Sequence, residues 1–168
     1  MRGGVRLGVD VGAVRVGVAG CDPAGLIATP VATLRRGKGD LAELARLAAE
    51  REAVEVVVGL PRTLTGKEGR AAQEAVAYAE RVATSVSPTP VRLVDERLST
   101  VGAQRDLRAS GVGSRKGRSV VDQAAAVIIL QGALDEERAT GVAPGRLVQP
   151  AATGDGDTRS TGYMKVEE

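Results

Sequence analysis

Runs of Val, Leu and Ala broken by Gly and Pro predict five strands in the first two thirds of the chain. The first two strands are expected to form a hairpin, because their apolar runs flank a tight turn at Gly12-Ala13. The fourth strand consists almost entirely of β-branched residues, which is typical of a central strand buried on both faces. The predicted strands cover residues 5–11, 14–20, 26–34, 54–59 and 91–95.

Helical spacing of apolar residues predicts helices between and after these strands. The first begins at Asp40, where Glu43 three residues later completes a capping-box-like pattern. Others are expected near residues 70–85, 99–109 and 119–138, with a loop over residues 111–117. Residues 1–150 should form one domain, whereas the Gly, Asp, Thr and Ser of residues 151–168 predict a disordered tail.

This order of elements predicts an α/β fold built on a five-stranded mixed sheet. Three antiparallel strands would form a meander, and right-handed crossover helices would add two parallel strands beside it. Helices are therefore expected to flank the sheet on both faces.

Three acidic residues occupy positions where the pattern predicts apolar side chains: Asp10, Glu96 and Asp122. Burying an ionised carboxylate is costly unless the group is paired or binds a metal. Three such residues on three separate elements indicate a metal site made of carboxylates alone.

Asp10 lies on the face of the first strand that carries Arg6, Gly8 and Gly12, because successive side chains of a strand alternate. Glycine weakens a strand, so two glycines on this face indicate the close approach of a ligand or of another element. The alternative is a simple bend in which the Asp10 carboxylate accepts backbone hydrogen bonds.

The end of the fifth strand carries two acids, Asp95 and Glu96, on opposite faces. The alternation alone leaves open which of them faces the site. Arg97 is placed to neutralise either acid or to contact a phosphate through two hydrogen bonds. A structural ion pair at the end of the strand is the competing interpretation.

Asp122 shares a helix face with Ala125, Ala126 and Ile129. Small alanines let a helix lie close to a sheet, which would bring the Asp122 carboxylate toward the acids on the strands. A second interpretation, compatible with the first, is that Asp122 lies near the helix start and interacts favourably with the macrodipole.

The composition excludes several kinds of catalytic chemistry. The chain has no His, which rules out Ser-His-Asp and Cys-His machinery and imidazole metal ligands. Cys21 is alone and is expected to be an inert, partly buried thiol, with a disulfide between subunits left open. Carboxylates with Mg²⁺ or Mn²⁺ fit what remains, because two such ions about 4 Å apart can activate water and stabilise the leaving oxygen of a phosphodiester.

Positive charge is concentrated ahead of Asp122, although the net charge is only +2. The local excess over the single acid Asp106 comes from Arg105, Arg108, Arg115, Lys116 and Arg118. This segment is expected to bind phosphates or else to form a solvated basic loop. The absence of Phe and Trp argues against a stacking platform for single strands and favours duplex or structured nucleic acid.

Four motifs in series resemble the YqgF/RuvX family. They are Gly8-Val-Asp-Val-Gly12 with Val16-Gly-Val-Ala19, then Val58-Gly-Leu-Pro61, then Asp95-Glu-Arg-Leu-Ser-Thr100, and finally Lys116 followed by Val121-Asp-Gln-Ala-Ala-Ala-Val-Ile-Ile-Leu-Gln131. The first motif is weak alone, but the four in this order are specific and extend over residues 5–150. The resemblance implies an RNase H-like fold similar to that of the RuvC resolvase.

The resemblance also implies a function. Asp10, Glu96 and Asp122 would be the catalytic, metal-binding carboxylates, which selects Glu96 over Asp95. The enzyme would be a nuclease that matures the 5′ end of pre-16S rRNA in ribosome biogenesis and leaves a 5′-phosphate. Holliday-junction resolution on branched DNA is the alternative within the family.

Further basic and polar residues are candidate nucleic-acid contacts. Arg15 lies in the hairpin turn after Asp10, and Thr100 is equally suited to capping a helix. The complete predicted set is Arg15, Arg62, Lys67, Arg97, Thr100, Arg115, Lys116 and Arg118.

Two other classes of protein stay open. The Asp-Val-Gly and Arg-Val-Gly segments also resemble the first phosphate loop of sugar kinases and actin-like ATPases, but those proteins enclose a nucleotide between two such domains. A non-catalytic module that binds nucleic acid or the transcription machinery is the other. With neither a signal-peptide pattern nor a membrane-spanning apolar run, a cytoplasmic monomer or homodimer is expected.

Overall fold

The protein is described here by a computed structural model that covers residues 1–37, 39–61, 69–96 and 115–150, with the backbone alone for residues 115–120. The strands are β1 (Arg6–Val11), β2 (Arg15–Cys21), β3 (Ala28–Arg35), β4 (Glu55–Leu60), β5 (Val91–Asp95) and β6 (Arg146–Leu147). The helices are α1 (Asp40–Glu50), α2 (Arg70–Val86) and α3 (Arg115–Thr140). No helix in the described part of the chain is both long enough and apolar enough to cross a membrane.

The described strands form one mixed sheet in the order β3-β2-β1-β4-β5-β6. β1, β2 and β3 make the predicted antiparallel meander, and β4 and β5 continue it parallel to β1. The α/β class and the mixed sheet are therefore confirmed. The predicted number of five strands is wrong, because β6 pairs with β5 as a sixth, antiparallel strand.

Backbone contacts, and not a side-chain pattern, define β6. Gly145 precedes it with a φ of 68°, and a Cβ at this position would overlap the carbonyl oxygen of Leu93 on β5. The backbone N–H of Val148 then donates to the carbonyl of Val91 at 2.8 Å. A two-residue strand has no periodicity that the sequence could show.

The helices differ from the prediction mainly at α3. α2 begins at Arg70 as expected, whereas α3 begins at Arg115, so the predicted loop over residues 111–117 is wrong for its last three residues. Gly117 lies within the helix, where glycine costs about 1 kcal/mol relative to alanine and is tolerated. The predicted helix at residues 99–109 and the predicted tail at 151–168 lie outside the described residues.

The sheet separates two apolar cores. On one face, Leu7 and Val9 of β1 pack with α1 and α2, around the buried Tyr78. On the other face, α3 packs through a stripe that includes Ala125, Ala126, Ile129, Leu130, Ala133 and Leu134. Cys21 lies in this second core and accepts a hydrogen bond from the backbone N–H of Arg6 at 3.2 Å. Its burial agrees with an inert thiol and leaves no exposed sulfur for a disulfide between subunits.

The hairpin turn and the start of α1 differ from the prediction in detail. The N–H of Gly12 donates to the carbonyl of Arg15 at 2.9 Å, so the turn is centred on residues 13 and 14. Gly39 is the N-cap of α1, and the predicted capping box does not form. Asp40 instead accepts a 2.8 Å hydrogen bond from the hydroxyl of Tyr78. Burial raises the pKa of Asp40, but the hydrogen bonds from Tyr78 and from backbone amides together lower it by more. The net pKa of Asp40 therefore lies below its usual value.

A buried ion network joins the N-terminus to α3 at the amino ends of the parallel strands. Glu137 on α3 accepts from Arg2 Nε at 2.6 Å and lies 3.4 Å from Nη2 of the fully buried Arg6. Glu55 pairs with Arg2 at 3.1 Å and with Arg92 at 2.9 Å. The hydrogen bond from Arg2 holds the pKa of Glu137 below its usual value against the effect of burial. This network accounts for the charged residues that are buried at one end of the sheet.

Candidate active site

Asp10 lies in the middle of the sheet, on the face that α3 covers. Its strand pairs with β2 without a break, from Leu7 opposite Gly20 to Val11 opposite Val16, so no bulge interrupts this pairing at Asp10. Asp10 is 1% exposed. The predicted alternation is confirmed, since Leu7 and Val9 lie in the opposite core.

Glycines flank Asp10 on both neighbouring strands. Gly17 on β2 is its direct cross-strand partner. On β4, Val58 pairs with Val9, so the next residue, Gly59, lies beside Asp10. Neighbouring strands lie about 4.8 Å apart, so the two glycines let other elements approach the sheet closely on either side of Asp10. A second acidic residue lies against each of them.

Asp122 lies over Gly17. A Cβ built at Gly17 would overlap the backbone oxygen of Asp122, so this approach of α3 to β2 requires glycine. Asp122 is 5% exposed and occupies the eighth position of α3. The helix macrodipole acts mainly within the first turn, so the interpretation of Asp122 as a residue of the helix start is wrong.

Glu96 lies against Gly59. Its Oε1 would be 3.0 Å from a Cβ built at Gly59, and Glu96 is 7% exposed. Asp95, which the alternation left equally eligible, is only half-buried. The geometry therefore brings Glu96 to the side of Asp10 that is opposite Asp122.

Arg15 forms an ion pair with one of these acids. It begins β2, and its Nε donates to Oδ2 of Asp122 at 3.0 Å across 107 positions of sequence. Its side chain remains 30% exposed, so a ligand can reach it from solvent. Asp122 thus has a cationic partner, as a buried carboxylate requires.

Two residues beside this pair were missed by the sequence reasoning. Arg35 on β3 lies directly opposite Arg15, and Gln123 on α3 donates from Nε2 to Oγ1 of Thr33 at 3.1 Å. Arg35 lies just beyond the strand predicted over residues 26–34, and its register opposite Arg15 lies beyond a bulge at Val18/Ala19. No one-dimensional pattern gives that register.

The donor set fits a hard divalent cation in kind, because it consists of carboxylate oxygens around one central acid. It is not yet gathered into a coordination sphere. No group of three or more Asp, Glu or Cys side chains in the described ranges lies close enough to hold a metal ion. One carboxylate oxygen of Asp122 is engaged by Arg15 in this arrangement.

The remaining predicted contacts stay predictions. Arg62, Lys67, Arg97 and Thr100 lie outside the described residues. The backbone of Arg115, Lys116 and Arg118 is helical and forms the first turns of α3, ahead of Asp122. These three residues therefore precede Asp122 along the helix axis by one to two turns.

Comparison with known proteins agrees with this arrangement. The family model RuvX, described as Holliday junction resolvase, matches residues 4–136. A protein of Nocardioides sp. JS614 is 58% identical over 154 residues, which cover 89% of this chain and 99% of the relative. A protein of Mycobacterium tuberculosis is 61% identical over 138 residues, 81% of each chain. Both relatives carry the provisional name of a pre-16S rRNA nuclease.

Solved structures agree with the predicted fold. RuvC of Thermus thermophilus in complex with a Holliday junction substrate aligns with a TM-score of 0.51 at 15% identity, over 85% of this chain and 99% of that one. A second RuvC structure of the same organism gives 0.50 at 14% identity. The predicted RNase H-like fold is thus confirmed, and the family model with the curated relatives confirms the predicted nuclease class. With the family model matching most of its length, the chain belongs to the RuvX family.

Proposed function

We propose that this protein is a divalent-cation-dependent endonuclease that acts on structured nucleic acid. Asp10, Glu96 and Asp122 would be its catalytic, metal-binding residues. One observation supports this most directly: Asp10 is flanked by Gly17 and Gly59, and the other two acids lie against these glycines. Burying three carboxylates on one face is costly, and a bound cation would offset that cost alongside partners such as Arg15.

The cation would be Mg²⁺ or Mn²⁺, because all three ligands are hard oxygen donors. When bound, one ion or a pair of ions supplies a water of lowered pKa and neutralises charge that develops on the phosphodiester. The rigid sheet holds Asp10 at the centre, while β5 and α3 bring Glu96 and Asp122 to its two sides. Gly17 and Gly59 permit this close approach of α3 and of Glu96 to the strands beside Asp10.

Basic residues around this face would hold the nucleic-acid backbone. Phosphate contacts by Arg and Lys set affinity and orientation without reading sequence. Arg15 lies at the site in the described structure. The complete proposed set is Arg15, Arg62, Lys67, Arg97, Thr100, Arg115, Lys116 and Arg118.

The favoured substrate is pre-16S rRNA. The support is the provisional name shared by relatives that are 54–61% identical to this chain. Processing of that precursor would belong to ribosome biogenesis and take place in the cytoplasm. The product would carry a 5′-phosphate and a 3′-hydroxyl.

A second candidate is resolution of Holliday junctions. It is favoured by the description of the matching family model as Holliday junction resolvase. Cleaving two strands of a four-way junction requires two active sites on a symmetric dimer. This candidate therefore predicts a homodimer, whereas rRNA processing is compatible with a monomer.

Parallel cleavage assays on the two substrates distinguish rRNA processing from junction resolution. Purified protein would receive end-labelled precursor rRNA spanning the 5′ end of 16S rRNA and an end-labelled four-way DNA junction, each with Mg²⁺ or Mn²⁺. We expect specific cleavage of the RNA and little of the junction, and symmetric paired cuts in the junction alone would favour the second candidate. Binding without cleavage of either substrate under both metals would instead support a non-catalytic binding module.

A further inference from the structure

Arg15 and Arg35 form a like-charged pair on the face that carries the acids. They are direct partners across β2 and β3, so their side chains project from the same face of the sheet. Two residue pairs further along β2, Gly17 lies opposite Thr33. This second pair lies beneath α3 near Asp122 and Gln123. The two arginines therefore border the site on its β3 side.

A cross-strand pair of like charges destabilises a sheet unless an anion is shared. Asp122 supplies that anion for Arg15, at 3.0 Å. Arg35 is exposed at the edge strand, and none of the ion pairs in the described structure involves it. An anion bound between the two guanidinium groups would remove their mutual repulsion.

The neighbouring Arg36 is already engaged and is not part of this surface. Its Nη1 donates to the carbonyl of Gly12 at 3.2 Å and lies 3.6 Å from Glu74, and its guanidinium is 5.4 Å from the ring centre of Tyr78. These contacts tie the hairpin turn to α2. They also fix the backbone from which Arg35 projects.

We propose that Arg15 and Arg35 bind one backbone phosphate of the nucleic acid, and that Arg15 exchanges between this phosphate and the carboxylate of Asp122 when Asp122 takes up a divalent cation. The inference rests on the proposed function, because it takes Asp122 as a cation ligand. In the described structure the Asp122 carboxylate is already engaged by Arg15, which is the state from which the exchange would start.

The exchange couples two binding events. A cation and Arg15 compete for one carboxylate, so cation binding releases Arg15 toward the phosphate. By linkage, a bound phosphate that attracts Arg15 makes Asp122 more available to the cation by the same factor. The protein would therefore load its cation most tightly when nucleic acid is present.

The phosphate site is tested by Arg35→Gln, with Arg146→Gln as the matched control. Arg146 is also an exposed arginine on an edge strand, but it lies on β6 at the other edge of the sheet. Binding of a fluorescein-labelled RNA hairpin is measured by anisotropy over a KCl series in EDTA. Arg35→Gln should weaken binding and lower the slope of log affinity against log salt by about 1, while Arg146→Gln should keep the wild-type slope. A wild-type slope in Arg35→Gln, or an equal decrease in both variants, overturns the phosphate site.

The exchange is tested by Mn²⁺ calorimetry without nucleic acid. Arg15→Gln removes the competitor for Asp122 and should bind Mn²⁺ several-fold more tightly than wild type. Arg35→Gln removes the same positive charge one strand away. It therefore controls for the general repulsion between a nearby arginine and the bound cation. Equal affinities in the two variants would mean that Arg15 does not compete with the cation, and the exchange would be wrong.

A further measurement distinguishes a failure of the exchange from a loss of stability in the variant and from a failure of the nuclease proposal. Thermal unfolding of Arg15→Gln with and without Mn²⁺ should show a larger stabilisation by Mn²⁺ than in wild type, even if the variant is less stable alone. An equal or smaller stabilisation contradicts the exchange. None of these measurements uses cleavage, so a protein that cuts nothing would refute the nuclease while leaving these results readable.

Discussion

Gly17 lies directly opposite Asp10 across β1 and β2, and the backbone oxygen of Asp122 occupies the space where a Gly17 side chain would be. The close packing of α3 on the sheet and the position of the Asp122 carboxylate therefore depend on the same missing Cβ. Gly59 has a related role on the other side of Asp10, but there the nearest atoms belong to the side chains of Ile129 and Glu96. Side chains can rotate away, whereas the backbone of α3 cannot move without the whole helix.

Gly17→Ala should strongly destabilise the protein. The added methyl overlaps backbone, so α3 must shift, at a cost at or above the upper end of the roughly 1–3 kcal/mol typical of overpacking. Urea unfolding measures the change in free energy. Gly3→Ala is the control, because a Cβ at Gly3 meets nothing within 4 Å, and its effect should stay within about 0.5 kcal/mol. Equal stability of the two variants would contradict the described approach of α3.

Glu137→Gln tests the ion network at the opposite end of α3. The substitution leaves the buried guanidinium of Arg6 without its anionic partner, which should cost about 3–5 kcal/mol at neutral pH. Unfolding in urea at pH 7 gives this value. Asp135→Asn is the control, because Asp135 is exposed and pairs only at the surface of the described helix, where such pairs contribute about 0–1 kcal/mol.

The same network predicts the pH dependence of stability. The pKa of Glu137 is lowered in the folded protein, so folding gains stability above the unfolded pKa of about 4.3 and loses it as the pH falls through the lower folded pKa. Wild type should therefore lose stability steeply below about pH 4, and Glu137→Gln should lose less over that range. Parallel curves of unfolding free energy against pH would show that Glu137 carries no such linkage.

Tyr78→Phe should destabilise the fold by about 1–3 kcal/mol, because the buried carboxylate of Asp40 loses a hydrogen-bond donor. The loss should disappear in part when Asp40 is also replaced by Ala, because the acceptor of the hydrogen bond is then absent in both backgrounds. A double-mutant cycle by urea unfolding measures this coupling. Strict additivity would mean that the hydroxyl of Tyr78 does not stabilise Asp40.

The sequence predicts the central part of the fold well, because there one physical cause dominates each element. β5 has the predicted bounds, since two prolines precede it and its apolar alternation ends at Asp95. The alternation in β1 correctly assigns Asp10 to the glycine-bearing face. The alanine stripe of α3 correctly predicts a helix that lies close to the sheet.

What the sequence could not give depends on contacts between distant segments. The partnership of Arg15 with Asp122 spans 107 positions, and that of Arg15 with Arg35 depends on a register interrupted by a bulge. β6 follows from backbone packing at Gly145, and the network around Glu137 joins the first residues to the last helix. In each case the interaction is set by tertiary packing and leaves no local pattern.

The catalytic role of Asp10 is tested most directly by the single-turnover cleavage rate of Asp10→Asn on the substrate that wild type cuts. Asn keeps the size of the side chain but removes the negative charge at the centre of the site, so the fold should persist. Loss of the central ligand should lower the rate by more than the 10–100-fold typical of changes to groups that only support a ligand. An Asp10→Asn protein that unfolds like wild type and cuts at an undiminished rate would contradict the proposed carboxylate site.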